Sequence, residues 1–211
     1  MVELSHDNLV AFAKSYGADE FILSKTWDTF KRTQENGTAI DLLRATDPFR
    51  TPGAFIHGPP GAGKTHAMKA IFNHILRWKV AQHEAGAVTN VRPFWANVSL
   101  FLERLRQDDY APKKKALEAS TLFLDDLGAS TKTDWVLDQI FQLIDYRAER
   151  ELQTFITSNW NLEELGKNYG TRISSRIKAI CIPVAMFCSD HRNELMKENA
   201  AEIVSRINKK G

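Results

Sequence analysis

The residues of this chain best suited to chemistry stand in one short run, Gly58-Pro59-Pro60-Gly61-Ala62-Gly63-Lys64-Thr65. The run satisfies the pattern G-x-x-x-x-G-K-[ST] at every fixed position. Glycines let the backbone turn tightly enough for successive N–H groups to face phosphate oxygens. A helix opening directly behind the loop adds unpaired N–H donors and the positive end of its dipole. In that setting Lys64 reaches the β- and γ-phosphates of a nucleotide, and the Thr65 hydroxyl is placed to ligate Mg²⁺. His66 follows in the first helical turn and joins the candidate nucleotide-binding residues.

A second element, Thr121-Leu122-Phe123-Leu124-Asp125-Asp126-Leu127-Gly128, runs from apolar residues into two aspartates. Burying such charges demands a cation or hydrogen-bond donors. Asp125 is the candidate to hold Mg²⁺ through water, and Asp126 to orient or deprotonate an attacking water. Asn159 ends the β-branched run Gln153–Ser158 and is placed either to bond the lytic water and γ-phosphate or to cap the next helix. Arg172 and Arg176 are spaced i, i+4, on one helical face. No acid on their own segment is in register with them. An arginine supplied to a neighbouring subunit's γ-phosphate is therefore the sharper expectation than an internal ion pair.

The elements that must position these residues are readable from periodicity and breakers. Ala54–His57 reads as a short buried strand, and Ala67, Ala70, Ile71, Ile75 and Trp78 recur at helical spacing to about Val80. Leu9, Val10, Ala13 and Tyr16 predict a first helix with Ser5 or Asp7 near its cap. Phe21–Phe30 is aromatic-rich, so Trp27 and Phe30 either face an adenine ring or cover a core edge. Thr38–Ala45 is read as a short helix, with Pro48 and Pro52 breaking the chain after it. Val91–Asn97 is a strand that Pro93 places at a sheet edge. Ser99–Gln107 is helical, Asp108–Lys115 a polar connection, and Trp135–Arg150 a strongly amphipathic helix. Ile180–Phe187 is the last strand and Asn193–Lys209 a basic terminal helix.

Composition limits the alternatives. With 211 residues, 43% of them hydrophobic, the chain can bury one α/β core. The net charge of +2 gives no global attraction to nucleic acid. Basic residues concentrate after Gly166, however, and Lys113-Lys114-Lys115 forms a run. These, with Arg104, Arg106 and the nearby Trp95, are the expected contacts to single-stranded DNA, since such binders pair cationic grooves with stacking aromatics, although Trp95 is equally suited to the core. Cys181 and Cys188 are too few for a disulfide framework or zinc cluster. No stretch is long and apolar enough to span a membrane and no signal-peptide core is visible, so a cytoplasmic location in a bacterial cell is expected, with phage or plasmid origin open.

The succession GPPGAGKT, FWANVSLFLERLR, TLFLDDLG, WVLDQIFQLIDYRAE, TFITSN, RISSRI resembles the AAA+ ATPases of the DnaC/DnaI helicase-loader and IstB transposition-helper family, across roughly Trp27 to Asn193. The resemblance implies a three-layer α/β/α P-loop NTPase fold, with a parallel sheet of order 5-1-4-3-2 and no C-terminal helical lid. Gly58–Thr65 matches the Walker A loop, Asp125 and Asp126 the Walker B pair, Asn159 sensor 1 and Arg176 the arginine finger acting across a subunit interface. Arg172 sits where a second arginine often stands. Implied with these are ATP and Mg²⁺ as cofactors, hydrolysis slowed by aspartate at position 126, and self-association into an ATP-dependent oligomer. Implied partners are single-stranded DNA and a ring-shaped replicative helicase, docked through the helix near Leu9–Tyr16 in an N-terminal segment (1–52) preceding the ATPase core (53–211). An IstB-like role in transposition and a non-hydrolysing, ATP-switched module that occupies a helicase are the alternatives.

Overall fold

Parallel strands cannot be joined by tight turns and need long crossovers, which this chain supplies as helices. The computed structural model describes residues 4–45, 49 and 52–187. Its middle layer holds β1 (Gly53–His57), β2 (Pro93–Asn97), β3 (Thr121–Leu127), β4 (Gln153–Ser158) and β5 (Cys181–Ala185). They pair in the order β2-β3-β4-β1-β5, parallel throughout, which from the other edge is the expected 5-1-4-3-2. Pro93 lies in the edge strand, where a missing N–H costs no ladder bond.

Successive strand residues point to opposite faces, and both faces are covered. On one lie α1 (His6–Ser15), α2 (Gly37–Ala45) and α3 (Lys64–Glu84), packed on Ala54, Ile56, Trp95, Phe123 and Phe155. On the other lie α4 (Val98–Arg106), α5 (Ala111–Glu118), α6 (Asp134–Glu149), α7 (Leu162–Tyr169) and α8 (Thr171–Ile180), packed on Phe55, Leu122, Leu124 and Ile156. Three layers result.

An aromatic ladder crosses the first face. Trp95, Phe123 and Phe155 are in register on β2, β3 and β4 and stack with centroids 6.0 and 5.1 Å apart, at 13° and 9° between planes. Phe72 of α3 meets Trp95 and Phe123 edge-on. Trp95 is 8% exposed, so its stacking partner is Phe123; the expected role as a DNA-stacking surface gives way to a core role. The lysine run is likewise dispersed. Lys113 bonds Gln139 and Gln142 of α6, Lys114 faces Glu118, and Lys115 reaches the Ser15 carbonyl.

A further expectation is corrected. Residues 108–115 are not a loop throughout, since α5 begins at Ala111 with Pro112 in its first turn. Only Pro112 and Ala116 of that helix are buried, so no apolar stripe announced it. The first helix packs one side on the core. Ser5 caps α1, and Leu9 and Ala13 are buried in the core shared with α3. The Tyr16 carbonyl then accepts from the Trp95 N–H at 2.8 Å, covering a donor of the edge strand. Pro48, Cys188 and the basic segment Asn193–Lys209 lie outside the described residues.

Arg147, read as part of a polar helix face, is fully buried instead. Its guanidinium donates to the carbonyls of Ala116, Ala119 and Gln153 and to the Thr154 hydroxyl, at 2.6–2.9 Å, tying α5, α6 and β4 together. Burial pulls its pKa down to about 9, which still leaves it charged at neutral pH. Arg147→Met strips these acceptors of their donor at about 1–3 kcal/mol per unsatisfied group. Urea denaturation of this variant should show a loss of at least ~3 kcal/mol; a loss under ~1 kcal/mol would mean that water or neighbouring groups replace the guanidinium.

Candidate functional site

The phosphate loop leaves the C-terminal end of β1 in the middle of the sheet. Gly58 must be glycine for contact reasons. A Cβ there would stand 2.0 Å from the Met186 carbonyl oxygen, and φ is +148°. Gly63, the N-cap of α3, has φ +91° and lies beneath the Phe30 ring. Phe30 in turn stacks against His66, with centroids 4.8 Å apart. Phe30 thus covers the loop and the start of α3, and with Trp27 it packs partly buried against the core. By helix geometry the N–H groups of the first α3 turn have no intrahelical acceptor.

Lys64 is 8% exposed. Its ammonium donates to the carbonyls of Gly58 and Pro59 and to Oδ1 of Asn159, each at 2.8 Å. The lysine therefore bridges the loop to the end of β4, and engaging a phosphate means exchanging one of these acceptors for a phosphate oxygen. Asn159 does not cap the following helix; Asn161 does, in a capping box with Glu164. The His66 imidazole is turned away from the loop, toward Thr29 Oγ1 and the Thr26 carbonyl at 3.2 Å each. Burial lowers its pKa. Only its backbone amide, in the first turn of α3, remains suited to an anion.

Asp125 is buried at the end of β3. Its Oδ1 accepts from the Thr65 hydroxyl at 2.9 Å and the Thr157 hydroxyl at 2.7 Å, while Oδ2 has no hydrogen-bond partner among the described residues. Desolvation is the main cause of its raised pKa, opposed by the two hydroxyls. Asp126 is half-buried, has φ +66°, and its carboxylate makes no hydrogen bond among the described residues. That left-handed backbone coincides with a register break between Leu124 and Leu127 in the β3–β4 ladder. Four groups of chemistry thus meet at the ends of adjacent strands: the loop amides, Lys64, the Asp pair and Asn159.

These residues fit a magnesium nucleotide. A threonine hydroxyl can donate its proton to Asp125 while a lone pair turns to a cation, and Oδ2 remains available. Among the described residues no group of three His, Cys, Asp or Glu side chains could hold a metal unaided. Mg²⁺ needs no such group, because it keeps several waters and draws ligands from substrate phosphates. When bound, it would neutralise charge on the phosphate oxygens.

The arginines lie elsewhere. Arg176 Nε approaches Asp145 Oδ1 of α6 at 2.7 Å, and the Arg172 guanidinium stands over the Phe141 ring at 4.3 Å. The absence of an acid in register on α8 was thus no guide: the partner is supplied by a different helix. Both arginines are exposed and directed at α6, and neither contacts the phosphate loop within this chain among the described residues.

A glycine loop around a buried lysine, beside an aspartate and an asparagine on a 5-1-4-3-2 sheet, defines a P-loop ATPase core of the AAA+ type. The model of the bacterial DnaA ATPase domain matches residues 23–182, and the chain belongs to that family. It is 27% identical over 190 residues to the chromosomal replication initiator protein DnaA of Onion yellows phytoplasma (strain OY-M), covering 89% of this chain and 35% of the relative. With the replicative helicase loader DnaI of Bacillus subtilis (strain 168) it shares 26% over 169 residues, covering 72% of this chain and 52% of DnaI. The chain thus spans about a third to a half of the length of these curated relatives. A crystal structure of the DnaC helicase loader superposes with a TM-score of 0.61 at 22% identity, over 79% of this chain and 99% of that one, a likeness of fold. Among the described residues no helix is long and apolar enough to cross a membrane.

The desolvated Asp125 carries a stability cost that function would explain. Asp125→Asn keeps the acceptor for both hydroxyls and removes the charge. Without nucleotide it should be more stable than wild type by about 0.5–2 kcal/mol, seen as a higher melting temperature. A carboxylate whose folded-state pKa is raised destabilises the fold increasingly as pH rises through that range. The gain should therefore shrink toward acid pH, where both states hold the proton. A lower melting temperature at neutral pH would show the charge to be stabilising.

Proposed function

We propose that this chain is an ATP-dependent DNA-replication accessory ATPase of the helicase-loader kind, with ATP acting as a switch for assembly as well as a substrate. The observation that carries the reading is the convergence of two hydrogen-bonded pairs, Lys64 with Asn159 and Thr65 with Asp125, at the ends of three adjacent strands. The family membership and the similarity to DnaI support the replication role. In this reading the loop amides of Gly58–Lys64 and the first turn of α3 bind phosphates, and Thr65 and Asp125 hold Mg²⁺. Asp126 orients or deprotonates the attacking water. Asn159 and Lys64 together sense the γ-phosphate, because a phosphate oxygen that accepts a hydrogen bond from Lys64 competes with Asn159 for that donor.

Arg176 is the proposed finger to a neighbouring subunit, with Arg172 beside it. Its ion pair with Asp145 is half-exposed, so the pair contributes little to stability, on the order of 0.2–1 kcal/mol. The arginine can therefore be drawn to a stronger anion at modest cost. Partners in this reading are single-stranded DNA, a ring-shaped replicative helicase and further copies of the chain.

Light scattering after size exclusion, with phosphate release measured in the presence and absence of ATP and single-stranded DNA, tests this. Arg176→Ala should bind ATP nearly as wild type does but lose assembly and cut hydrolysis by about 10³-fold. Asp145→Asn should keep both, which separates a finger from a structural ion pair. Equal assembly by Arg176→Ala would remove the finger role. A wild type that binds ATP, ignores DNA and releases no phosphate would point instead to a partner-binding switch.

A further inference from the structure

Thr157 lies near the end of β4, and its hydroxyl touches both members of the aspartate pair. Oγ1 donates to Asp125 Oδ1 at 2.7 Å and accepts from the Asp126 backbone N–H at 2.8 Å. Both bonds cross from β4 to β3 at the point where regular pairing stops, between Leu124 and Leu127. The ladder cannot hold Asp126 there, because the left-handed turn at φ +66° takes its amide out of the strand pattern. A non-glycine residue in that conformation is strained and persists only where its surroundings over-determine it. Ser158 completes the clamp. Its hydroxyl donates to the Leu127 carbonyl at 2.7 Å and accepts from the Trp160 N–H at 3.1 Å.

We propose that Thr157 is a positioning residue for the metal-nucleotide site, fixing Asp125 and Asp126 together through one hydroxyl. The inference rests on the nucleotide reading given above, but it concerns how the aspartates are set rather than what the assembly does. Thr157 is fully buried, at 1% exposure, and no solvent can stand in for it. Among the described residues two donors share Asp125 Oδ1. If Thr65 turns its oxygen to a cation, Thr157 is the donor that keeps the carboxylate oriented with Oδ2 toward the ligand. The same hydroxyl holds the amide of Asp126, so rotation of one aspartate is resisted by the other. Ligand-orienting partners of this kind typically change metal affinity or activity by about 10–100-fold when removed.

The test is fluorescent ADP binding to the full chain, with and without EDTA, titrated with Mg²⁺. Thr157→Val is close to isosteric and removes the hydroxyl, while Thr157→Ser retains it. The valine variant should require about 10-fold or more Mg²⁺ for half-saturation. Its metal-free nucleotide affinity should stay within about 2-fold of wild type, since the loop amides and Lys64 are untouched. The serine variant should restore the wild-type Mg²⁺ requirement. A purely structural role would lower the melting temperature and weaken nucleotide binding equally with and without metal, which would overturn the proposal. So would a valine variant with an unchanged Mg²⁺ midpoint. Where the valine protein is insoluble, Thr157→Ala removes the same hydroxyl and carries the same expectation. Because the readout is binding, it is independent of whether the wild type assembles or hydrolyses ATP.

Discussion

The structure depends on keeping one buried carboxylate in order. Asp125 follows the apolar residues Leu122–Leu124 in β3, and its buried carboxylate demands hydrogen-bond donors. They arrive as two hydroxyls, Thr65 from the helix behind β1 and Thr157 from β4. The strand order makes this convergence possible. With β4 lodged between β1 and β3, the residues at its C-terminal end reach the phosphate loop on one side through Asn159 and the aspartates on the other through Thr157. A sheet with another order would leave the same residues in the sequence and separate them in space.

The layers on either side hold that arrangement still. The aromatic ladder of Trp95, Phe123 and Phe155 locks the register of three strands on one face, and Phe72 ties it to the helix that begins at the loop. On the other face Arg147 uses a buried cation to close α5, α6 and β4 over carbonyls that would otherwise lack donors. The N-terminal segment belongs to the same construction. Asn73 of α3 holds three carbonyls between Ile22 and Lys25, and His66 holds Thr26 and Thr29 beside the loop.

Much of this was legible in advance. Glycine spacing and Lys64-Thr65 identify a phosphate loop because few other chemistries require that pattern, and the apolar run into Asp125-Asp126 marks a strand end that must meet something polar. Helix α6 and strand β4 followed from their periods, as did the edge position of β2 from Pro93. The misses share a cause. Helix α5 buries only Pro112 and Ala116, so its pattern matched a loop; Trp95 suited a DNA surface and the core equally; Arg147 looked like one more charge on a polar face. In each case the deciding neighbour lies far away in sequence.

By itself, then, the sequence determined the local chemistry: which backbone can wrap an anion, which strands are buried, where helices begin, and that the chain resembles replication ATPases. Tertiary structure alone decided the pairings. It assigned Arg176 to Asp145, Arg172 to Phe141, Lys64 to Asn159 and Thr157 to both aspartates. Periodicity reports the face on which a residue lies, because that is set by the geometry of one element. It does not report what occupies the opposing face, because that depends on the order in which the strands are laid down.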